Sequence, residues 1–150
     1  MTDIAFYHLQ KSPLEAVLPR LLLRTLEAGK HALVLARSAE RVESLSSALW
    51  TFDPAAWLPH GTDKDGRPGE HPVWLSDRPD NPNGAQFLFL TDGAELAELE
   101  PFERCFDLFD GNDPAALEAA RDRWKRLKDA GHSPTYWQQN ERGQWEKKAG

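Results

Sequence analysis

Residues 4–50 read IAFYHLQKSPLEAVLPRLLLRTLEAGKHALVLARSAERVESLSSALW, and they switch twice between two apolar patterns. Residues 4–9, IAFYHL, are short, aromatic and free of fixed charge, which predicts a strand covered on both faces. Leu14, Val17, Leu18, Leu21, Leu22 and Leu26 then recur at helical spacing over residues 14–28. Ser12-Pro13 opens that helix and Gly29 ends it. Pro19 lies close enough to the start to kink or delay the first turn without abolishing the helix. Residues 31–35, HALVL, read as a second strand. Residues 39–50 read as a second helix, with Ser38 as its cap and Val42, Leu45, Ala48 and Leu49 turned inward. Strand, helix, strand, helix with short connections predicts an α/β domain on a mainly parallel sheet.

Working outward, residues 51–84 are rich in Pro, Gly, Asp and Asn and read as a long, mostly irregular connection. Two apolar patches interrupt it, Trp57-Leu58 and Val73-Trp74-Leu75, each a candidate for a brief strand or for an anchor. Residues 86–90, QFLFL, predict a buried strand. Residues 94–100 hold at most two turns of helix before Pro101, and residues 104–109, RCFDLF, predict the last strand before a final helix. That helix, residues 114–131, PAALEAARDRWKRLKDAG, is the best bounded in the chain. Asp113 suits the N-cap, Pro114 the first helical position, and Gly131 the left-handed close. Residues 1–131 thus form one α/β domain. Residues 132–150 are a polar C-terminal extension, for which an extended arm and partial disorder are both open.

The composition narrows the function classes. The 150 residues, 40% apolar and 28% charged, suit one soluble domain. No apolar run approaches the roughly 20 residues of a membrane span. The opening MTDIAFYHLQKSP lacks a basic region followed by a long apolar stretch, so no secretory leader is expected. Cys105 is the only cysteine, which fits a reducing, cytoplasmic setting. A net charge of -6 argues against broad affinity for DNA or anionic membrane. The charge is uneven, however. From Ala115 onward eight Lys or Arg face five Asp or Glu, a balance of +3, which leaves -9 for the residues before it. A locally basic end on an acidic body suits a small acidic partner.

An α/β chain invites a search for a phosphate loop, and the sequence lacks one. Gly29-Lys30 follows a helix instead of a strand and has no Ser or Thr after it, and residues 8–13 after the first strand contain no glycine. Asp63-Lys64-Asp65-Gly66 puts its glycine at the fourth place of a calcium loop, where the sixth is needed, and Trp74 stands where the closing glutamate belongs. His60 and His71 read as ordinary loop histidines, since no second pair of ligands accompanies them. Cys105 reads as a small buried side chain, and Asp107 as a hydrogen-bonded structural position. No cofactor, metal or catalytic constellation is expected.

The final helix carries the remaining signal. Leu117, Ala120, Trp124 and Leu127 fall on one face, with Arg121, Lys125 and Lys128 beside them. From spacing alone two readings stay open: a solvated basic face that complements the helix dipole, and a shallow pocket with a cationic wall for an anionic ligand bearing an aromatic group.

Five segments in this order resemble the chi subunit of bacterial DNA polymerase III. They are FYHL in the first strand, Ala48-Leu49-Trp50, Trp57-Leu58-Pro59-His60-Gly61, Cys105-Phe106-Asp107-Leu108-Phe109, and Arg121-Asp122-Arg123-Trp124-Lys125 with Ala130-Gly131. The resemblance runs from the N-terminus to about Gly131. It implies a Rossmann-like three-layer α/β/α fold without a phosphate loop and no intrinsic catalysis. It further implies a role in DNA replication that links the clamp loader, through the psi subunit, to the acidic C-terminal tail of single-stranded-DNA-binding protein, with DNA reached only indirectly. The tail ends in an aromatic residue with a free carboxylate. On the family pattern Arg121 would take that carboxylate, Trp124, where tyrosine is common, would wall the ring slot, and Lys125 would meet the acidic residues. Leu117 replaces a lysine of the family, and Lys128 would restore some charge. Exposed apolar groups between Trp50 and Trp74 are candidates for the psi surface. The alternatives are a nucleotide-handling α/β enzyme and a module that binds single-stranded nucleic acid directly.

Overall fold

The computed structural model describes residues 2–53, 55 and 57–149; Met1, Pro54, Ala56 and Gly150, which fall within the units and the connection expected above, lie outside the described residues. In chain order the elements are β1 (Asp3–Leu9), α1 (Leu14–Glu27), β2 (Ala32–Leu35), α2 (Ala39–Thr51), β3 (Gly61–Thr62), a 3₁₀ turn (Pro68–Glu70), β4 (Val73–Ser76), β5 (Phe87–Thr91), β6 (Arg104–Asp110), α3 (Pro114–Asp129), β7 (Thr135–Gln139) and β8 (Trp145–Ala149). One sheet takes all eight strands in the order β3-β4-β2-β5-β6-β1-β7-β8. Every pairing is parallel except the antiparallel β7–β8 hairpin.

The strands alternate their side chains between two cores, which is why they read as unbroken apolar runs. Ala5, Leu9, Val34, Leu75, Phe89, Phe106 and Leu108 pack with α1 and α2 on one face. Ile4, Phe6, Leu33, Leu35, Leu88, Cys105 and Phe109 pack with Ala120 of α3 on the other. The result is the three-layer α/β/α arrangement on a mainly parallel sheet. Helix α2 is capped as expected, with Ser38 Oγ accepting from the Arg41 N–H at 3.1 Å. Helix α1 runs through Pro19 without a break. Among the described residues no helix is long and apolar enough to cross a membrane.

Three segments add to or depart from the expectation. The connection over residues 51–84 is mostly irregular, as expected, but it supplies β3, a 3₁₀ turn and β4, so that Val73-Trp74-Leu75 takes the brief-strand reading. β4 is four buried residues paired with β2 on one side and β3 on the other. Of the other patch, Leu58 is a buried anchor and Trp57 stays 73% exposed. Gly61 lets this loop close, since a Cβ there would meet the His71 ring at 2.7 Å. Residues 94–100 are not helical. Asp92 and Gly93 turn the chain with positive φ, and Ala94 and Leu99 then reach the core singly. Finally, residues 132–149 hold the β7–β8 hairpin, which extends the sheet beyond β1.

Candidate functional site

Helix α3 lies across the face that holds Phe6 and Phe109. Its cap is the expected one: Asp113 Oδ1 accepts from the Ala115 N–H at 3.0 Å. Gly131, at φ +96°, turns the chain toward β7. Ala120 is buried, while Leu117, Trp124 and Leu127 pack partly buried against the same core. The apolar stripe expected from spacing is therefore present. Its middle, however, holds Arg123, only 5% exposed. Arg123 donates from Nε and Nη2 to the two carboxylate oxygens of Asp107 at 2.7 and 3.0 Å. Burial pushes the Asp107 carboxyl above its usual range, and the guanidinium opposes that shift. This pair accounts for the carboxylate inside β6.

The outer side of α3 differs. Arg121 and Lys125 are exposed, and neither has a carboxylate within 4.0 Å among the described residues. Lys128 holds its ammonium 5.7 Å from the Trp124 ring centre, within cation–π range. Trp124 is half-buried, meeting Phe6 edge-on at 5.5 Å and Tyr136 at 5.9 Å. Tyr136, from β7, in turn meets His8 Nδ1 at 2.5 Å through its hydroxyl. Burial lowers the His8 pKa, and the charge of Arg121 acts in the same direction. Burial raises that of Tyr136, which Arg121 pulls back. Arg121 thus stands close enough to the His8–Tyr136 pair to bias both. Gly111 is required beside them, because a Cβ there would fall 1.9 Å from the His8 ring.

Of the four residues singled out in the sequence, the fold brings Trp124 and Lys128 into contact and sets Arg121 beside Tyr136 and His8. Lys125 stays exposed on the same helix. Tyr136 and His8 were missed. The alternating Thr135-Tyr136-Trp137 run is a strand signal that could have found the first; nothing in the sequence marks the second.

Two comparisons bear on what this surface belongs to. A family model described as DNA polymerase III chi subunit, HolC, matches residues 1–135. The chain belongs to that family. A relative, a probable DNA polymerase III subunit chi from Rickettsia prowazekii (strain Madrid E), is 25% identical over 109 residues. The aligned stretch covers 71% of this chain and 66% of the relative.

Elsewhere in this family member, the carboxyl ends of β1, β5 and β6 form the crevice where an open parallel sheet usually takes its ligand. A groove of about 400 Å³ lies there. Arg41 crosses it, bound to Glu15 at 2.8 Å and Asp92 at 2.6 Å, and Asp110 also lines it. Of the two cations that line it, Arg41 is already paired and Lys11 faces Glu15, Asp92 and Asp110, three carboxylates that oppose an incoming phosphate. Cys105 is buried, which raises its thiol pKa and leaves it a packing residue. His60 is buried with both ring nitrogens engaged, Nδ1 with the Leu58 carbonyl at 2.9 Å and Nε2 with Ser46 Oγ at 3.2 Å. Beside it lies Trp50, its ring tilted at 47° to the imidazole and 58% exposed, so that Trp50 and Trp57 are, among the described residues, the large apolar side chains most open to solvent.

Proposed function

We propose that this chain is a non-catalytic accessory subunit of the DNA polymerase III holoenzyme. In this reading it joins the clamp loader, through a psi subunit, to the acidic C-terminal tail of single-stranded-DNA-binding protein. Arg121, Trp124, Lys125 and Lys128 form the tail site. The observation that carries the reading is the outer side of α3: two unpaired cations flank a half-buried tryptophan whose third cation lies over the ring. An acidic peptide that ends in an aromatic residue needs those groups. Arg121 can take the terminal carboxylate bidentately, the Trp124 edge borders the ring slot, and Lys125 and Lys128 meet the acidic approach. One charge-assisted hydrogen bond contributes roughly 1.5–3 kcal/mol, so micromolar, salt-sensitive and transient binding is expected. The carboxylate-lined crevice at the strand ends supports a binding role over nucleotide chemistry. Trp50 and Trp57, both exposed, are large apolar side chains of the kind a permanent protein partner covers.

The test is calorimetric titration with a synthetic acidic tail peptide, with and without its terminal aromatic residue. The full peptide should bind in the micromolar range and the shortened one at least tenfold more weakly. Equal binding of the two, or an Arg121→Ala variant with unchanged affinity, would sink the site.

A further inference from the structure

A second basic groove lies on the opposite face of the sheet, between α1 and the β7–β8 hairpin. It measures about 580 Å³. Arg20 and Arg24, one turn apart on α1, form one wall, and Arg142 and Trp145 the other. None of the three guanidiniums has a carboxylate within 4.0 Å among the described residues. On a chain with 24 Asp and Glu against 18 Lys and Arg, three bare arginines around one groove are unexpected. The positive field reaches further inward. Arg104 lies 4.8 Å from the Phe106 ring centre, and Arg104 and Arg24 both oppose the rise that burial imposes on the Tyr7 pKa. Tyr7 packs edge-on against Trp145 at 4.7 Å, so one aromatic pair is shared between the groove and that field.

The acids nearby do not cancel it. Glu146 alternates to the other face of β8 and is bound to Lys148 at 3.2 Å. Glu27, exposed near the end of α1, is the carboxylate that shares the Arg24 side of the helix at i+3 spacing. Gln139 anchors the floor of the groove to the hairpin turn. Gln139 is 6% exposed and gives its amide nitrogen to Gly143 O and Ser12 Oγ, while its Oε1 has no partner among the described residues.

We propose that this groove binds single-stranded nucleic acid, with backbone phosphates on Arg20, Arg24 and Arg142 and a base against Trp145. Guanidiniums match phosphate oxygens bidentately, and tryptophan offers any base a stacking face. Each nucleotide brings a phosphate together with a stackable base, whereas an acidic peptide brings an aromatic ring only where its sequence holds one. The acidic body argues against broad DNA affinity, and this groove is a local exception to it, so contact should be short and weak. Because α1 and α3 lie on opposite faces of the sheet, the inference stands independently of the peptide site on α3.

The test is fluorescence anisotropy of the full chain with a labelled oligo-dT of about 16 nucleotides at low salt. Saturable binding is expected, with log Kd against log salt sloping by about 2, since each of three phosphates contributes about 0.7 for a single strand. Arg20→Glu, Arg24→Glu and Arg142→Glu together should weaken binding more than tenfold, while the three corresponding Lys substitutions should restore most of it. Trp145→Ala should weaken binding at least fivefold and Trp145→Phe much less. A control with the same charge change at Lys64, Arg67 and Arg78, all exposed and remote, should lose less than the groove variant, and circular dichroism melts should show every variant folded. Absence of binding at low salt, an equal loss in the remote control, or a polyglutamate peptide of the same charge binding as tightly as the oligonucleotide would overturn the proposal.

Discussion

Arg121 and Arg123 stand two residues apart on α3, and the helix sends them to opposite environments. Arg123 points into the core and gives two hydrogen bonds to Asp107. Arg121 points outward beside Tyr136 and His8, with no carboxylate within reach among the described residues. A buried guanidinium is tolerable only when its charge is matched, so Arg123 is committed to the fold. An exposed, unmatched one costs the fold little and is free to meet a partner. The same side chain thus meets a matched or an unmatched environment according to a turn of about 200° around the helix.

The strongest way to break this contrast is to remove the buried charge. Arg123→Ala should leave Asp107 unpaired and cost about 3–5 kcal/mol. In a domain of this size that lowers the Tm by roughly 10 °C or more. The paired change Arg123→Met with Asp107→Leu should recover most of the loss in a urea or thermal melt, because it removes both charges together. A tolerant single variant would show that α3 is not pinned by this pair. Arg121→Ala is the converse. Its stability should stay within about 0.5 kcal/mol of the parent, while the proposed tail affinity falls by roughly 1.5–3 kcal/mol. A large loss of stability would place Arg121 with Arg123 and erase the distinction.

The pH dependence sharpens the contrast further. His8 has its pKa lowered by burial and by Arg121. The unfolded chain therefore takes up more protons than the folded one as pH falls through about 6.5. That part of the stability is present above this pH and declines below it. Replacing His8 with Gln should flatten the decline between roughly pH 7 and pH 5. By nuclear magnetic resonance, Arg121→Ala should move the His8 titration upward. No movement would mean that Arg121 does not act on the pair. The smallest effect is at Lys125, where an exposed charge should contribute about 0.2–1 kcal/mol to peptide binding and nothing measurable to the melt.

Legibility from sequence follows the length and locality of each signal. Helices α1, α2 and α3 were readable because their apolar stripes run over three turns or more, and α2 and α3 also open on side-chain caps. Strands β1, β2, β5 and β6 were readable as dense apolar runs. β4 is as short and as buried as β2, but it lies among Pro, Gly and Asp without a flanking helix stripe, so its letters left a strand and an anchor both open and its pairing with β2 and β3 decided for the strand. Residues 94–100 show the opposite error: enough Ala, Leu and Glu for a helix, yet a turn at Asp92-Gly93 sends Ala94 and Leu99 separately to the core. At the candidate site, spacing placed Arg121, Trp124, Lys125 and Lys128 along one helix. It did not show that Tyr136, twelve residues after Trp124, packs against the Trp124 ring.

Local order, in this chain, determined the fold class and the identity of the basic helix, because helix stripes, caps and apolar strands are written within a few neighbouring residues. The family segments lie along the same frame. Only the tertiary structure decided which charges are matched and which are free. Asp107 and Arg123, or Arg20, Arg24 and Arg142, come together by the stacking of helices on the sheet, and sequence spacing carries no record of that.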